Sequence, residues 1–122
     1  MSRIRSDIEK YMTAPVNGSG GELKSNFRFP EEFVGFQGHF PTRRVLPGAC
    51  QVQCVISMLR AKLCREIMLQ EIMIAKYYAP ILPDENVACS VRGVEPCGEF
   101  IVKAVITRDD GKVTELKLRV TA

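Results

Sequence analysis

The sequence predicts an α+β fold in which a largely antiparallel sheet wraps one central helix. Three observations predict it. The run Ala49–Arg60 is apolar almost all round at helical spacing, which marks a buried helix. Four stretches after it, residues 70–78, 86–94, 99–107 and 116–120, carry strand character between turn signals. One more alternating run, Leu23 to Phe29, precedes it.

Residues 2–12 place Ile4, Ile8 and Tyr11 at helical spacing and read as a short N-terminal helix. Residues 13–21, rich in Gly, Pro and Ser, read as a connector too short to separate domains. Leu23, Ser25, Phe27 and Phe29 then alternate with Lys24, Asn26 and Arg28 until Pro30 ends the strand. Residues 31–48 hold Gly35, Gly38, Gly48, Pro41 and Pro47, which forbid a regular helix. Phe33, Val34, Phe36, Phe40, Val45 and Leu46 make this loop apolar, so it should be pinned against a core.

From Gly48 the helix begins. Gln53 and Ser57 share a face at i, i+4, and Gln51 points elsewhere. The stretch Ala61–Glu66 emerges into solvent, where Arg60, Lys62 and Arg65 suit the helix dipole. Among the strands, Tyr77 and Tyr78 should point one inward and one outward. Met58, Met68 and Met73 read as core packing. Pro80, Pro83-Asp84 and Pro96–Gly98 turn the chain, and Asp109-Asp110-Gly111 is a hairpin signal.

At 122 residues, 46% hydrophobic and 25% charged, the chain reads as one soluble domain, residues 1–122, rather than a disordered one. Seventeen basic and fourteen acidic residues give a net charge of +3, with no dense basic run of the kind that binds nucleic acid. No apolar run reaches the roughly 20 residues of a membrane helix. The start, Met1–Lys10, lacks the apolar core of a secretory signal, so a cytoplasmic location is expected. The five cysteines, Cys50, Cys54, Cys64, Cys89 and Cys97, read as small buried hydrophobes. With one His and no second ligand pair they make no metal site, and no cofactor motif is present.

His39 is the only histidine, between Gly38 and Phe40-Pro41, in a loop that feeds a helix start at Pro47-Gly48. A helix start offers unpaired N–H groups and partial positive charge. Those donors could polarise a carbonyl oxygen while an imidazole moves a proton.

Phe36-Gln37-Gly38-His39-Phe40-Pro41, followed by Leu46-Pro47-Gly48 and the apolar helix, resembles the signature of the hotdog-fold (3R)-hydroxyacyl-acyl carrier protein dehydratases. The run Ala75–Asp84 is similar to the strand and turn that this family places after its helix, and the overlap covers residues 22–120. Val45–Gln51 particularly resembles the small dehydratase-like proteins of aryl polyene lipid pathways. The resemblance implies a double-hotdog homodimer, which could assemble further. It also implies an acyl thioester substrate on a carrier protein or coenzyme A. His39 would take the proton beside the thioester carbonyl. The backbone N–H of Gly48 would hold the enolate oxygen, and an acid on the central helix would protonate the departing 3-hydroxyl. Gly38, Phe40, Pro47 and Ser57 would line the substrate. Arg43 and Arg44 could meet an acidic carrier protein or a phosphopantetheine phosphate, or carry ordinary solvated charge.

The sequence departs from the family where the acid belongs. Fourteen residues after His39 the family has Glu or Asp; here stands Gln53. A carboxamide cannot deliver a proton near neutral pH. Thr42 and Arg44 also replace the family's Gly and Pro. Three readings follow: a dehydratase whose His39, or a water held by Gln53, makes both proton transfers; a thioesterase in which Gln53 orients water; and a weak or inactive thioester-binding protein that pairs with an active subunit.

Overall fold

The computed structural model describes residues 2–36, 45–109 and 111–122, with side chains from Arg5 onward. A short helix α1 (Ser2–Lys10) leads into strand β1 (Glu22–Arg28), and the long helix α2 (Gly48–Leu63) follows. Four strands complete the chain: β2 (Met68–Tyr77), β3 (Asn86–Arg92), β4 (Glu99–Arg108) and β5 (Gly111–Thr121). They form one sheet in the order β1-β3-β4-β5-β2, antiparallel at every pair.

Alternation decides which face of the sheet meets the helix. Leu23 and Phe27 of β1, Val91 of β3, Val102 of β4 and Leu118 of β5 are all buried. They close one core with Val52, Val55, Ile56, Met58 and Leu59 of α2. Each such side chain taken from water contributes about 1.5–3 kcal/mol, so this one helix can organise the sheet. A chain of rings extends the core toward the loop before α2. Phe29 and Phe33 lie 4.9 Å apart, Phe33 and Phe36 5.7 Å, and Tyr11 joins edge-on to Phe29 and Phe33.

Several boundaries differ from the sequence reading. The helix stops at Leu63 because Cys64 turns left-handed, with φ 54°, and its N–H donates to Arg60 O. Arg60 is bonded to Glu9 at 2.6 Å, a partner on α1, rather than serving the dipole alone. β5 begins at Gly111, not 116, and carries Val113 and Thr114 as two consecutive buried residues. That break in alternation faces a register shift in β4 at Ile106/Thr107, so a period-2 search loses the strand there. Cys64 and Cys97 are exposed rather than buried. Met68 and Met73 are exposed too. Tyr77 and Tyr78 are both exposed to solvent but point to opposite sides as expected, Tyr77 toward Gly48 of α2 and Tyr78 to Glu115.

The two sheet edges are treated differently. Residues 11–17 run along β1: Thr13 N donates to Asn26 O, Arg28 N to Tyr11 O, and Asn17 and Lys24 exchange both backbone bonds. At the other edge lies β2, and every one of its ten residues is exposed.

Candidate active site at the start of helix α2

Pro47 precedes α2 in extended conformation, with φ −61° and ψ 150°, and gives it no side-chain cap. The N–H groups of Cys50 and Gln51 both donate to Pro47 O, at 3.0 and 3.2 Å. Among the described residues nothing accepts from the N–H of Gly48 or Ala49. These are two of the orphan donors of a helix start, at its positive end.

This end is held by Gln51. Its Nε2 donates to Leu46 O at 3.2 Å, and its Oε1 accepts from Thr114 Oγ1 of β5 at 2.5 Å. Both residues are buried, so the bonds are made away from water. Leu46 N donates to Ile81 O at 2.8 Å, which fixes the approach to the helix from the other side. The first turn is thus clamped between the loop, the β2–β3 connection and β5.

Tyr77 lies over Gly48. A Cβ added to Gly48 would stand 2.5 Å from Tyr77 Oη and 2.7 Å from its Cζ. Burial against the helix pushes the Tyr77 hydroxyl above its ordinary pKa. The sequence reading missed this contact. The signal was present in Gly48 itself, a residue with no side chain at a helix start that needs none for its backbone angles.

Gln53 sits one turn further along, half-buried, with Nε2 donating to Ser57 Oγ at 3.3 Å. The shared face read from the i, i+4 spacing is therefore present, with Gln51 on a different face. Ser57 is itself buried and lines an open groove of about 280 Å³ with Glu9, Met12, Arg60 and Ala61. Cys54 and Cys89 are fully enclosed, and burial holds both thiols protonated, Cys89 up to about 12.

Gly38, His39, Phe40, Arg43 and Arg44 lie outside the described residues. What can be described are the anchors on either side of them. Gly35 is wedged so tightly that a Cβ would strike the Phe33 ring at 2.4 Å and Cys50 Sγ at 3.0 Å. Phe36 and Leu46 are buried. The loop is thus pinned to the core on both sides of residues 37–44, beside the first turn of α2.

One antiparallel sheet of five strands around one long helix, with that helix's start as the focus of polar contacts, defines a hotdog-fold protein. The family model of ApeI-like proteins, described as ApeI dehydratase, matches residues 16–114, and the chain belongs to that family. The dehydratase heterocomplex ApeI:P from Xenorhabdus doucetiae is 18% identical with a TM-score of 0.71, covering 87% of this chain and 92% of that one. Cj0977, a sigma28-regulated virulence protein of Campylobacter jejuni, is 15% identical at TM-score 0.70, covering 99% and 88%. The uncharacterised PH1136 of Pyrococcus horikoshii is 12% identical at 0.68, covering 91% and 82%. At these identities the solved structures share the fold. Among curated proteins, none matches the chain.

Proposed function

We propose that the chain is a single hotdog domain that removes water from a (3R)-3-hydroxyacyl thioester, carried on an acyl carrier protein or coenzyme A, to give the trans-2-enoyl thioester. The observation that carries this reading is the pair of N–H groups at Gly48 and Ala49 that have no acceptor among the described residues, in a member of a dehydratase family. They receive the thioester oxygen as it gains charge. His39 takes the proton from C2. Electrons of that C–H bond form the C2–C3 double bond as the C3–O bond breaks. Gln53 can hold the 3-hydroxyl but has no proton to give, so the imidazolium returns its proton and the hydroxyl leaves as water. In this reading Gly38, Phe40, Pro47 and Ser57 serve acyl binding, and Arg43 and Arg44 serve recognition of the carrier's acidic or phosphate groups.

The working unit is a homodimer closed through β2. An antiparallel register that sets Glu71 against the partner's Lys76 also sets Lys76 against the partner's Glu71, so the strand is complementary to itself. A second reading is favoured by Gln53 together with the bare edge: a weak subunit that pairs with a different, active hotdog chain. The similar ApeI:P is a dehydratase heterocomplex.

Hydration of a short trans-2-enoyl thioester, followed by loss of enoyl absorbance, tests the reaction in reverse. His39→Ala should lower turnover at least a hundredfold with folding intact. Gln53→Glu should raise it tenfold or more, since a positioned general acid is worth about 10²–10⁴. Activity retained in His39→Ala would remove the catalytic assignment. No turnover in either the natural chain or Gln53→Glu would leave the second reading.

A further inference from the structure

The outer face of the sheet, away from α2, carries a row of like charges. Arg92 of β3 pairs in register with Lys103 of β4, and Lys103 with Lys117 of β5. All three point out of the sheet, Arg92 and Lys103 exposed and Lys117 half-buried. Directly opposed like charges destabilise a sheet. No ion pair relieves them among the described residues. Elsewhere on the same face the charges are matched: Arg119 binds Glu71 and Glu99, and Glu115 binds Lys112 and Tyr78. Glu22, the register neighbour of Arg92 on β1, makes no ion pair with it. The row lines an open groove of about 220 Å³ with Lys76, Glu115 and a partly apolar floor from Ile74, Val105 and Leu116.

We propose that this groove is a docking surface for an acidic α-helix of a partner protein, laid across the strands. The geometry selects that occupant. Adjacent strands are about 4.8 Å apart, so three cations in register span about 10 Å. Carboxylates at i, i+4 and i+7 of a helix lie on one face and span about 10.5 Å at 1.5 Å per residue. A long polyanion is a poorer match, because beyond the row it would meet Glu22, Glu71 and Glu99 on the same face. A single phosphate meets one or two of the three cations and leaves the remainder crowded. The surface is separate from the start of α2 and does not depend on the reaction proposed there.

The test is fluorescence anisotropy with a labelled helical peptide carrying Glu at i, i+4 and i+7 and neutral residues elsewhere. Its binding to the full chain should weaken several-fold between 50 and 200 mM salt. It should weaken at least tenfold in the Arg92→Gln/Lys103→Gln/Lys117→Gln variant. Lys24→Gln/Arg28→Gln should bind as the natural chain does. The triple variant should hydrate a short enoyl thioester at the natural rate and unfold at an equal or higher temperature, because repulsion is relieved. Unchanged peptide binding in the triple variant would overturn the proposal, and so would a lower unfolding temperature. Equal, row-dependent binding of a single-stranded oligonucleotide would replace the helix by a generic polyanion. Stoichiometric displacement of the peptide by coenzyme A would make the groove a small-phosphate site instead.

Discussion

Thr114 has no solvent exposure, and its hydroxyl is spent on Gln51 Oε1. The pair joins β5 to the start of α2, so its loss should act on stability and on the site together. Thr114→Val keeps the shape and removes the donor, leaving Gln51 Oε1 buried without a partner. It should cost about 1–3 kcal/mol, read as a lower urea midpoint, with Thr114→Ser close to the natural chain. No spacing rule could have named Gln51 as the anchor and Gln53 as the open one, because both are amides on one helix. Only the sheet position of Thr114 distinguishes them. The cysteines divide in the same way. Cys64 and Cys97 are exposed, whereas burial raises the pKa of Cys50, Cys54 and Cys89. Dithionitrobenzoate at pH 8 should titrate Cys64 and Cys97 quickly and the other three only after unfolding. A thiol raised in the folded state contributes full stability below the ordinary value of 9.0. Above it the unfolded chain ionises while the folded chain does not. Stability should therefore fall as pH rises past 9.0 and less steeply in Cys89→Ala.

At the scale of elements, helix α2 and strand β2 meet at Gly48 and Tyr77. Gly48→Ala would force the Tyr77 ring aside. That ring is the end of a half-exposed side chain, so the stability change should stay within about 1 kcal/mol, with the gain in helix propensity offsetting the contact. Turnover should fall, and Gly48→Ala/Tyr77→Ala should recover part of it. A single variant with natural activity would remove Tyr77 from the site. The helix, β1 and the strands 86–94 and 99–107 were legible in the sequence because their alternation is clean. β2 was legible as a strand, but its register shifts after Leu69 and Ile72 scramble which side chains share a face. Pairing is regular again from Ile74 to Tyr77, so Tyr77 and Tyr78 point to opposite sides, as alternation expects. The Gly-His-Phe-Pro loop was legible as a motif, and its flanking anchors, Gly35 and Leu46, are where an apolar loop pinned to a core requires them.

For the whole molecule, the contrast between the edges matters most. Light scattering should give twice the chain mass. Glu71→Lys and Lys76→Glu should each shift the population toward monomer, because like charges brought together at an interface cost several kcal/mol. Glu71→Lys/Lys76→Glu should restore the dimer. Indifference to all three would exclude the self-complementary register. The sequence could announce a missing cover but not its place, since only strand order shows that, among the described residues, β2 and not β1 is left open. That opening has a consequence for the newly made protein. A lone copy leaves the ribosome with Ile72, Ile74 and Tyr77 in water on an edge strand that, among the described residues, pairs only with β5, the kind of template that recruits other chains. In the homodimer its mate is a second copy of the same chain, so the time each new copy spends open to proteolysis should shorten as the protein's own concentration rises.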